Sequence, residues 1–315
     1  MLTVDGPEHR LHHAPFARAL SRRSVEEAHA EEIRGLADEL LRALSGGGAE
    51  LVSQLARPLS VRLVGTVLGF QEDDTTEIER LVEAMAAADG ITVGDEVRRR
   101  AAEARKRFGP RVMNSLERAS GHGASVLDAL APRDEHSLSD QQLIDNTVNM
   151  IFGAVDPTAI LIGTSIWALL AHPDQLEAVR RDPALVPIAI REAARWHAPF
   201  AASVRYVAED TTFHGVDMGS GDKVYLMILA ANRDEHVFVH ADRFDIERSD
   251  LRFSIAFGRG LHHCIGEPLG IVAAREAILA ALERLPGLRL VPGSRAEPQG
   301  IDHHQLPRLD VLYDV

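Results

Sequence analysis

One glycine-rich loop near the carboxyl end constrains this 315-residue chain more than any other stretch. It reads Phe-Gly-Arg-Gly-Leu-His-His-Cys-Ile-Gly over residues 257–266 and contains the single cysteine of the sequence. Its glycines allow a tight turn and let the backbone approach a large flat ligand with no Cβ between them. Cys264 directly precedes a predicted helix over 267–285, whose first N–H groups can stabilise a thiolate. The residue types leave two interpretations, a thiolate ligand for a metal or a small buried apolar side chain.

The spacing within the loop favours the thiolate. The pattern Phe-Gly-x-Gly-x-His-x-Cys-x-Gly has every fixed position filled, and it closely resembles the haem-binding loop of the cytochromes P450. The resemblance extends in the right order over essentially the whole chain. It implies a mainly α-helical cytochrome P450 fold with a small β region, shortened at the N-terminus, and a single haem-thiolate domain over 1–315. It also implies heme b (iron protoporphyrin IX) as cofactor, with Cys264 as the iron ligand and with further cofactor contacts from Phe257, His262 and Gly266.

A second match lies near the start of the chain, where Pro-Glu-His occupies positions 7–9. His9, His12 and His13 by themselves fit either a metal site, since residues four apart share one helix face, or a polar, solvated helix start. In the family, the histidine of this segment and a basic residue four positions later contact a haem propionate. The resemblance therefore assigns His9 and His13 to the cofactor, although the second position is usually Arg or Lys. Arg205, on a predicted strand over 203–207, matches the family's propionate-binding arginine.

The longest predicted helix runs from a capping box, Ser139-x-x-Gln142, to about residue 171. Apolar residues occur on all its sides, which predicts a helix buried through the middle of the protein. Its centre reads Gly-Ala-Val-Asp-Pro-Thr over residues 153–158. Pro157 has no N–H, so the carbonyl of Gly153 loses its helical partner and the helix is expected to kink. The kink either packs against a neighbouring loop or forms a groove beside the cofactor.

This central stretch resembles the family's oxygen-binding motif, Ala-Gly-x-Asp/Glu-Thr-Thr. The resemblance makes Asp156 and Thr158 the candidate catalytic residues. It also shows that Pro157 replaces the threonine that normally assists oxygen activation, and that Gly153 and Ala154 stand in reversed order. Proton delivery is therefore expected to differ from the family's usual route.

A charged pair, Glu192 and Arg195, lies three residues apart on a predicted helix. Such a pair is either an exposed ion pair of little energetic value or part of a buried network. It resembles the family's Glu-x-x-Arg motif, and the resemblance makes Arg243 the expected third member.

The remaining predicted elements are a helix, strands and a hairpin. The helix begins with a capping box at Ser24-x-x-Glu27, the strands lie within 203–229, and a late hairpin consists of residues 288–291 and 308–312. Residues 302–305 form either an exposed polar turn or a turn that reaches into the substrate pocket.

The composition limits which binding partners and which cellular compartment are expected. A formal net charge of -13 argues against nucleic acid and against an anionic membrane as a main partner. One cysteine excludes an internal disulfide and fits a reducing cytoplasm. The first residues show no signal-peptide apolar core, and Asp156 and Pro157 interrupt the most apolar stretch, so no membrane-spanning segment is predicted.

The function implied by the resemblance is a monooxygenase that inserts one oxygen atom from O2 into a small organic substrate. Electrons would come from a ferredoxin-type donor with its reductase, docked near Cys264. Two alternatives stay open, a peroxide-driven or oxygen-independent haem-thiolate enzyme, because of Pro157, and a non-catalytic haem-binding protein. The sequence starts almost at the Pro-Glu-His helix, which leaves two alternatives, a truncated or misassigned start or a naturally short protein. A short protein is expected to have an open pocket, or a homo-oligomer or another partner that completes the lid over the distal side of the haem.

Overall fold

The computed structural model describes residues 1–89, 93–119, 125–131, 137–294, 296–300 and 303–315. Asp302 of the predicted turn, and parts of the segment 121–134 that precedes the longest predicted helix, lie outside these residues. Within them the α-helices are α1 (Gly6–Ala19), α2 (Arg22–Arg42), α3 (Arg57–Leu68), α4 (Thr75–Ala88), α5 (Asp95–Arg118), α6 (Val126–Leu130), α7 (Asp140–Ala171), α8 (Pro173–Arg181), α9 (Val186–Trp196), α10 (Ile228–Ala231) and α11 (Glu267–Arg284). A π-helical turn, Val52–Ala56, leads into α3.

The strands form small antiparallel sheets, as expected for a minor β region. They are β1 (Gly48–Glu50), β2 (Ser203–Tyr206), β3 (Thr211–Phe213), β4 (Val216–Met218), β5 (Lys223–Leu226), β6 (Arg289–Leu290) and β7 (Asp310–Leu312). The late hairpin is confirmed as β6 and β7. The strand β1 pairs with the other edge of β7 and places Ala49 opposite Val311. The sequence prediction missed β1 because it is three residues long and follows a run of glycines.

The central helix α7 has the predicted start. The Ser139 hydroxyl accepts the N–H of Gln142 at 3.3 Å, and the Gln142 side chain accepts the N–H of Ser139 at 2.9 Å, which together make the capping box. By length and composition α7 is the one described helix that could cross a membrane, but 72% of its apolar window is buried inside the fold. It therefore serves as the core helix, in contact with α3, α5, α9 and α11.

The helix α7 stays helical through Pro157. The hydroxyl of Ser60 on α3 donates to the carbonyl of Val155, which gives the backbone beside the proline an additional partner. Gly153 is exposed, and a Cβ built there would meet no atom within 4 Å. This stretch of α7 therefore borders an open cleft, and the identity of this cleft with the predicted groove beside the cofactor stays a prediction.

One predicted helix start is wrong. Ser21 caps α2, because its hydroxyl accepts the N–H of Ser24 at 3.3 Å, and the helix begins at Arg22. Ser24 thus lies in the first turn. Both serines suit a cap locally, and α1 decides between them, since it ends at Ala19 and leaves only Leu20 and Ser21 as the connection.

Two buried clusters lie along α7, one around its N-terminal half and one around its C-terminal half, and α11 contributes to both. Ile271, Ala274 and Ala277 pack into one cluster, and Leu269 and Val272 pack into the other. Because the glycine-rich loop runs directly into α11, the loop is held by the most buried part of the fold.

Candidate functional site

The loop over 257–266 folds back on itself. The N–H of Cys264 donates to the carbonyl of Phe257 at 2.8 Å, and a single 3-10 turn, Gly260–His262, lies between them. Gly258 and Gly260 have φ of 73° and 74°, the left-handed region that a side chain with Cβ rarely adopts. Gly258 and Gly260 of the predicted motif are therefore required by backbone geometry, and Cys264 lies at the end of the turn.

The Cys264 side chain is solvent-exposed although protein atoms surround it closely, which places it on the floor of a cleft. Burial among these atoms raises the pKa of the Cys264 thiol, and the Glu267 carboxylate raises it further. The N–H groups of Gly266 and Glu267 oppose this by donating to the sulfur. A metal cation on the sulfur would shift the balance to the thiolate, which these two N–H groups then stabilise.

Three predicted cofactor residues come together beside the loop. The His9 ring stacks on His13 with ring centroids 4.9 Å apart, and it meets the edge of His262 at 4.7 Å. His262 Nε2 lies 2.7 Å from Asp5 Oδ1. The third histidine of α1, His12, turns away and pairs through Nδ1 with the Asn146 amide at 2.9 Å. His9 and His13 therefore lie beside the loop and His12 does not, and the contact of His9 and His13 with the cofactor stays a prediction.

The His9 ring fits an anionic partner. It is 3% exposed, and its Nδ1 has no hydrogen-bond partner. Burial lowers the pKa of His9, and the neighbouring His13 and His262 lower it further. A buried polar nitrogen without a partner is costly, and a carboxylate would satisfy it. The site thus has a place for a haem propionate.

Arg205 lies on β2, opposite Val224 of β5, and its side chain is exposed. Its guanidinium donates to the hydroxyl of Ser203 at 3.0 Å and to the carbonyl of Val204 at 2.8 Å. Among the described residues, no carboxylate pairs with Arg205 and no hydrogen bond joins it to the histidine cluster. Its contact with a propionate stays a prediction.

The two candidate catalytic residues on α7 are buried but have different surroundings. Asp156 forms an ion pair with Arg57 at the start of α3, and its Oδ2 lies 3.6 Å from Nδ1 of His303. No hydrogen bond joins Asp156 to Thr158 in the part of the chain that the structure describes. Arg57 was not predicted as a site residue, and its only sequence signal is an isolated charge at the head of an apolar helix.

Behind Asp156 lies a cavity of about 230 Å³. It is lined by Val52, Arg57, Asp156, Ala159, Ile160, Gly163, Gln305 and Leu306. Gln305 belongs to the predicted turn over 302–305 and is one of the residues that line this cavity. The alternative of an exposed polar turn is wrong for His303, whose side chain is only 13% exposed, whereas Gln305 is exposed.

The Glu192–Arg195 network is buried, as one of the two alternatives held, but its third side chain differs from the prediction. Neither side chain has any exposed surface, and two bonds of 2.7 and 2.8 Å join them. Arg243 contributes only its backbone carbonyl, which accepts from Arg195 at 2.8 Å, while its side chain is exposed. Arg248 takes the expected place and donates to Glu192 at 3.1 Å.

The comparisons with known proteins agree with this site. The family model for Cytochrome P450 matches residues 96–286. The mycinamicin IV hydroxylase/epoxidase of Micromonospora griseorubida is 31% identical over 296 residues, which cover 92% of this chain and 73% of the relative. The cytochrome P450 monooxygenase PikC of Streptomyces venezuelae is 32% identical and is covered over 70% of its length.

Solved structures show the same relationship. CalO2 is 31% identical, with a TM-score of 0.88 over 99% of this chain and 79% of that chain. P450BioI, solved in complex with an acyl carrier protein, is 26% identical and also has a TM-score of 0.88. The two relatives are named as a hydroxylase/epoxidase and as a monooxygenase. The chain therefore belongs to the cytochrome P450 family and is an enzyme of its monooxygenase type.

Proposed function

We propose that this chain binds heme b through Cys264 and inserts one oxygen atom from O2 into a small organic substrate. The observation that carries the proposal is the loop geometry. It holds the Cys264 sulfur on the floor of a cleft with the N–H groups of Gly266 and Glu267 directed at it. Haem iron with a cysteine thiolate ligand supplies the cleavage of the O–O bond and the oxygen transfer.

The residues around the cleft would hold the cofactor. His9 and His262 would donate to one propionate, with His13 behind them, and Arg205 would offer its guanidinium to the other. Phe257 would pack beside the loop, where it already contacts the core. Gly266 would leave the space beside the Cys264 sulfur free of a side chain for the cofactor; a Cβ there would touch only Sγ, in an ordinary contact at 3.9 Å.

Asp156 would supply protons. Insertion of one atom of O2, with the other leaving as water, consumes two electrons and two protons, and Pro157 carries no hydroxyl for their delivery. Asp156 is the buried acid next to that position. Thr158 lies about 100° further round the helix than Pro157, so its hydroxyl would act only through water. The electrons would come from a ferredoxin-type donor that docks near Cys264.

The first experiment reconstitutes the protein with haem and records the spectrum of the reduced carbon-monoxide complex. The wild type should show the thiolate signature, and Cys264→Ser should fold yet lose it. Cys264→His serves as a matched control, because it keeps an iron ligand without a thiolate and should bind haem with a different spectrum. A thiolate signature that persists in Cys264→Ser would refute the assignment.

The second experiment compares turnover with a ferredoxin and its reductase against turnover with hydrogen peroxide, on a panel of small organic substrates. Product that depends on the reductase and on O2 is the expected result. Product with peroxide alone would identify a peroxide-driven enzyme and contradict the proposed oxidant while leaving the haem site intact.

A further inference from the structure

Asp156 lies on the face of α7 that lines the cavity, about 100° round the helix from Pro157. Successive helix residues are about 100° apart, so the cavity-lining Asp156, Ala159, Ile160 and Gly163 share one face, and Pro157 belongs to another. The cavity volume of about 230 Å³ leaves room for several waters at roughly 30 Å³ each. Arg57, Asp156 and Gln305 provide the polar partners such waters need, so the cavity suits a small group of ordered waters.

The two oxygens of Asp156 have partners of different kinds. Oδ1 pairs with Arg57, whose guanidinium keeps its proton at any working pH, and Oδ2 faces Nδ1 of His303 at 3.6 Å. The His303 ring is held in place by Phe200, with centroids 4.9 Å apart, and by Phe152 at 5.9 Å. Its backbone also pairs with Phe200. An imidazole that can gain and release a proton is thus fixed beside the acid.

We propose that His303 is a positioning residue that supplies protons to Asp156. The protonated imidazole gives its Nδ1 proton to Oδ2 of Asp156, so that an N–H bond breaks, an O–H bond forms, and no electrons are exchanged. The imidazole then regains a proton from cavity water. The neutral carboxyl no longer forms an ion pair with Arg57, and it can rotate toward the cleft that Gly153 borders. This inference rests on the proposed function.

The charges around His303 set the direction of its pH dependence. Asp156 on α7 favours the protonated imidazole, and Arg57 on α3 opposes it from the far side of the carboxylate. Glu79 and Glu83 on α4 face Arg57, and they partly offset the burial that lowers the pKa of Arg57. Proton supply should therefore be intact at low pH and should fade as pH rises and His303 loses its proton.

The test uses the haem-loaded enzyme with its electron donors and measures product formed per electron consumed between pH 6 and 9. His303→Gln should lower this ratio by about tenfold and flatten its pH dependence, with KM unchanged, because general acid groups contribute at least that much. His236→Gln is the matched control, since His236 also pairs with a carboxylate, Asp234 at 3.0 Å, but lies exposed on the surface. It should match the wild type. A wild-type ratio and pH profile in His303→Gln would overturn the proposal.

His303→Arg separates proton supply from a structural role. Arginine can still pair with Asp156 but cannot release a proton near neutral pH. Proton supply predicts that His303→Arg is as impaired as His303→Gln. Recovery of the wild-type ratio in His303→Arg would show that only a positive charge is needed and would overturn the relay.

A measurement without turnover tests the pairing itself. Nitrogen NMR of the histidine side chains should show His303 titrating at lower pH in Asp156→Asn than in the wild type, and an unchanged titration would contradict the pairing. If the wild type forms no product with any electron donor, the proposed function is contradicted. The titration would still show whether His303 pairs with Asp156, because it does not depend on turnover.

Discussion

The Arg248 guanidinium donates to the buried Glu192 carboxylate at 3.1 Å, and the same carboxylate accepts two bonds from Arg195. Arg195 in turn donates to the backbone carbonyls of Asn232 and Ala241, each at 2.8 Å. These bonds tie α9 to the irregular segment that precedes the Cys264 loop. One carboxylate with two guanidinium partners thus sets where that segment packs.

Removal of Arg248 should therefore be costly and removal of Arg243 should not. We expect Arg248→Ala to lower the free energy of unfolding by about 3–5 kcal/mol, because it breaks a buried charge network. Arg243→Ala, the matched control, should change it by about 0.5 kcal/mol or less, since the Arg243 side chain is exposed and only its carbonyl takes part. Urea unfolding of the three proteins measures both values. A larger loss of unfolding free energy in Arg243→Ala than in Arg248→Ala would show that Arg243 is the third side chain of the network.

Haem retention should depend more on Arg205 than on His13. Burial lowers the pKa of His13, and His262 lowers it further, so His13 is neutral at pH 7 and offers a propionate no charge. Arg205 carries a fixed charge with no carboxylate partner among the described residues. The haem-to-protein ratio after reconstitution should fall further in Arg205→Ala than in His13→Ala. Arg289→Ala, which removes an exposed arginine paired with Asp314, should leave the ratio unchanged. A larger loss in His13→Ala would contradict the assignment.

His197 should make the fold sensitive to acid. Burial, together with the nearby Arg233, His304 and Arg195, lowers the pKa of His197 to about 3. The unfolded chain takes up this proton near the ordinary value of 6.5, so the stabilisation is complete above pH 6.5 and is lost progressively toward pH 3.

We therefore expect the unfolding free energy of the wild type to fall more steeply with acid than that of His197→Phe, by at most about 1.4 kcal/mol per pH unit. Phenylalanine keeps an aromatic ring against Trp196 and His304. Denaturant unfolding at pH 6, 5 and 4 measures the difference, with His236→Phe as an exposed control that should track the wild type. Parallel curves for wild type and His197→Phe would show that His197 is not the acid-sensitive group.

Pro157→Thr should improve the use of electrons. The wild type lacks a hydroxyl at this position, so we expect poor coupling on generic substrates, with much reducing power lost as hydrogen peroxide. Pro157→Thr restores both the N–H that bonds the Gly153 carbonyl and a hydroxyl, whereas Pro157→Ala restores the N–H alone. Product per electron should rise in the threonine variant only. Equal ratios in all three proteins, with a tightly coupled wild type, would show that the hydroxyl is not needed.

The sequence by itself determined the features that depend on a few neighbouring residues. The Cys264 loop is one, because Gly258 and Gly260 adopt positive φ and its hydrogen bonds close within eight residues. The capping box of α7 is another, because both of its hydrogen bonds span three residues. The family and the helical fold were predictable from such local patterns in the right order along the chain.

Only the tertiary structure decided which distant side chains meet. Arg57 and Asp156 are far apart in the chain, as are Asp5 and His262, and each pair forms because helix packing brings the two residues together. Arg248 and Arg243 are only five positions apart, yet the sequence could not show which of the two side chains pairs with Glu192. The segment between them has no regular period that would assign one of the side chains to the core. Local patterns determine backbone hydrogen bonds, whereas long-range pairing depends on how buried helices fill space around α7.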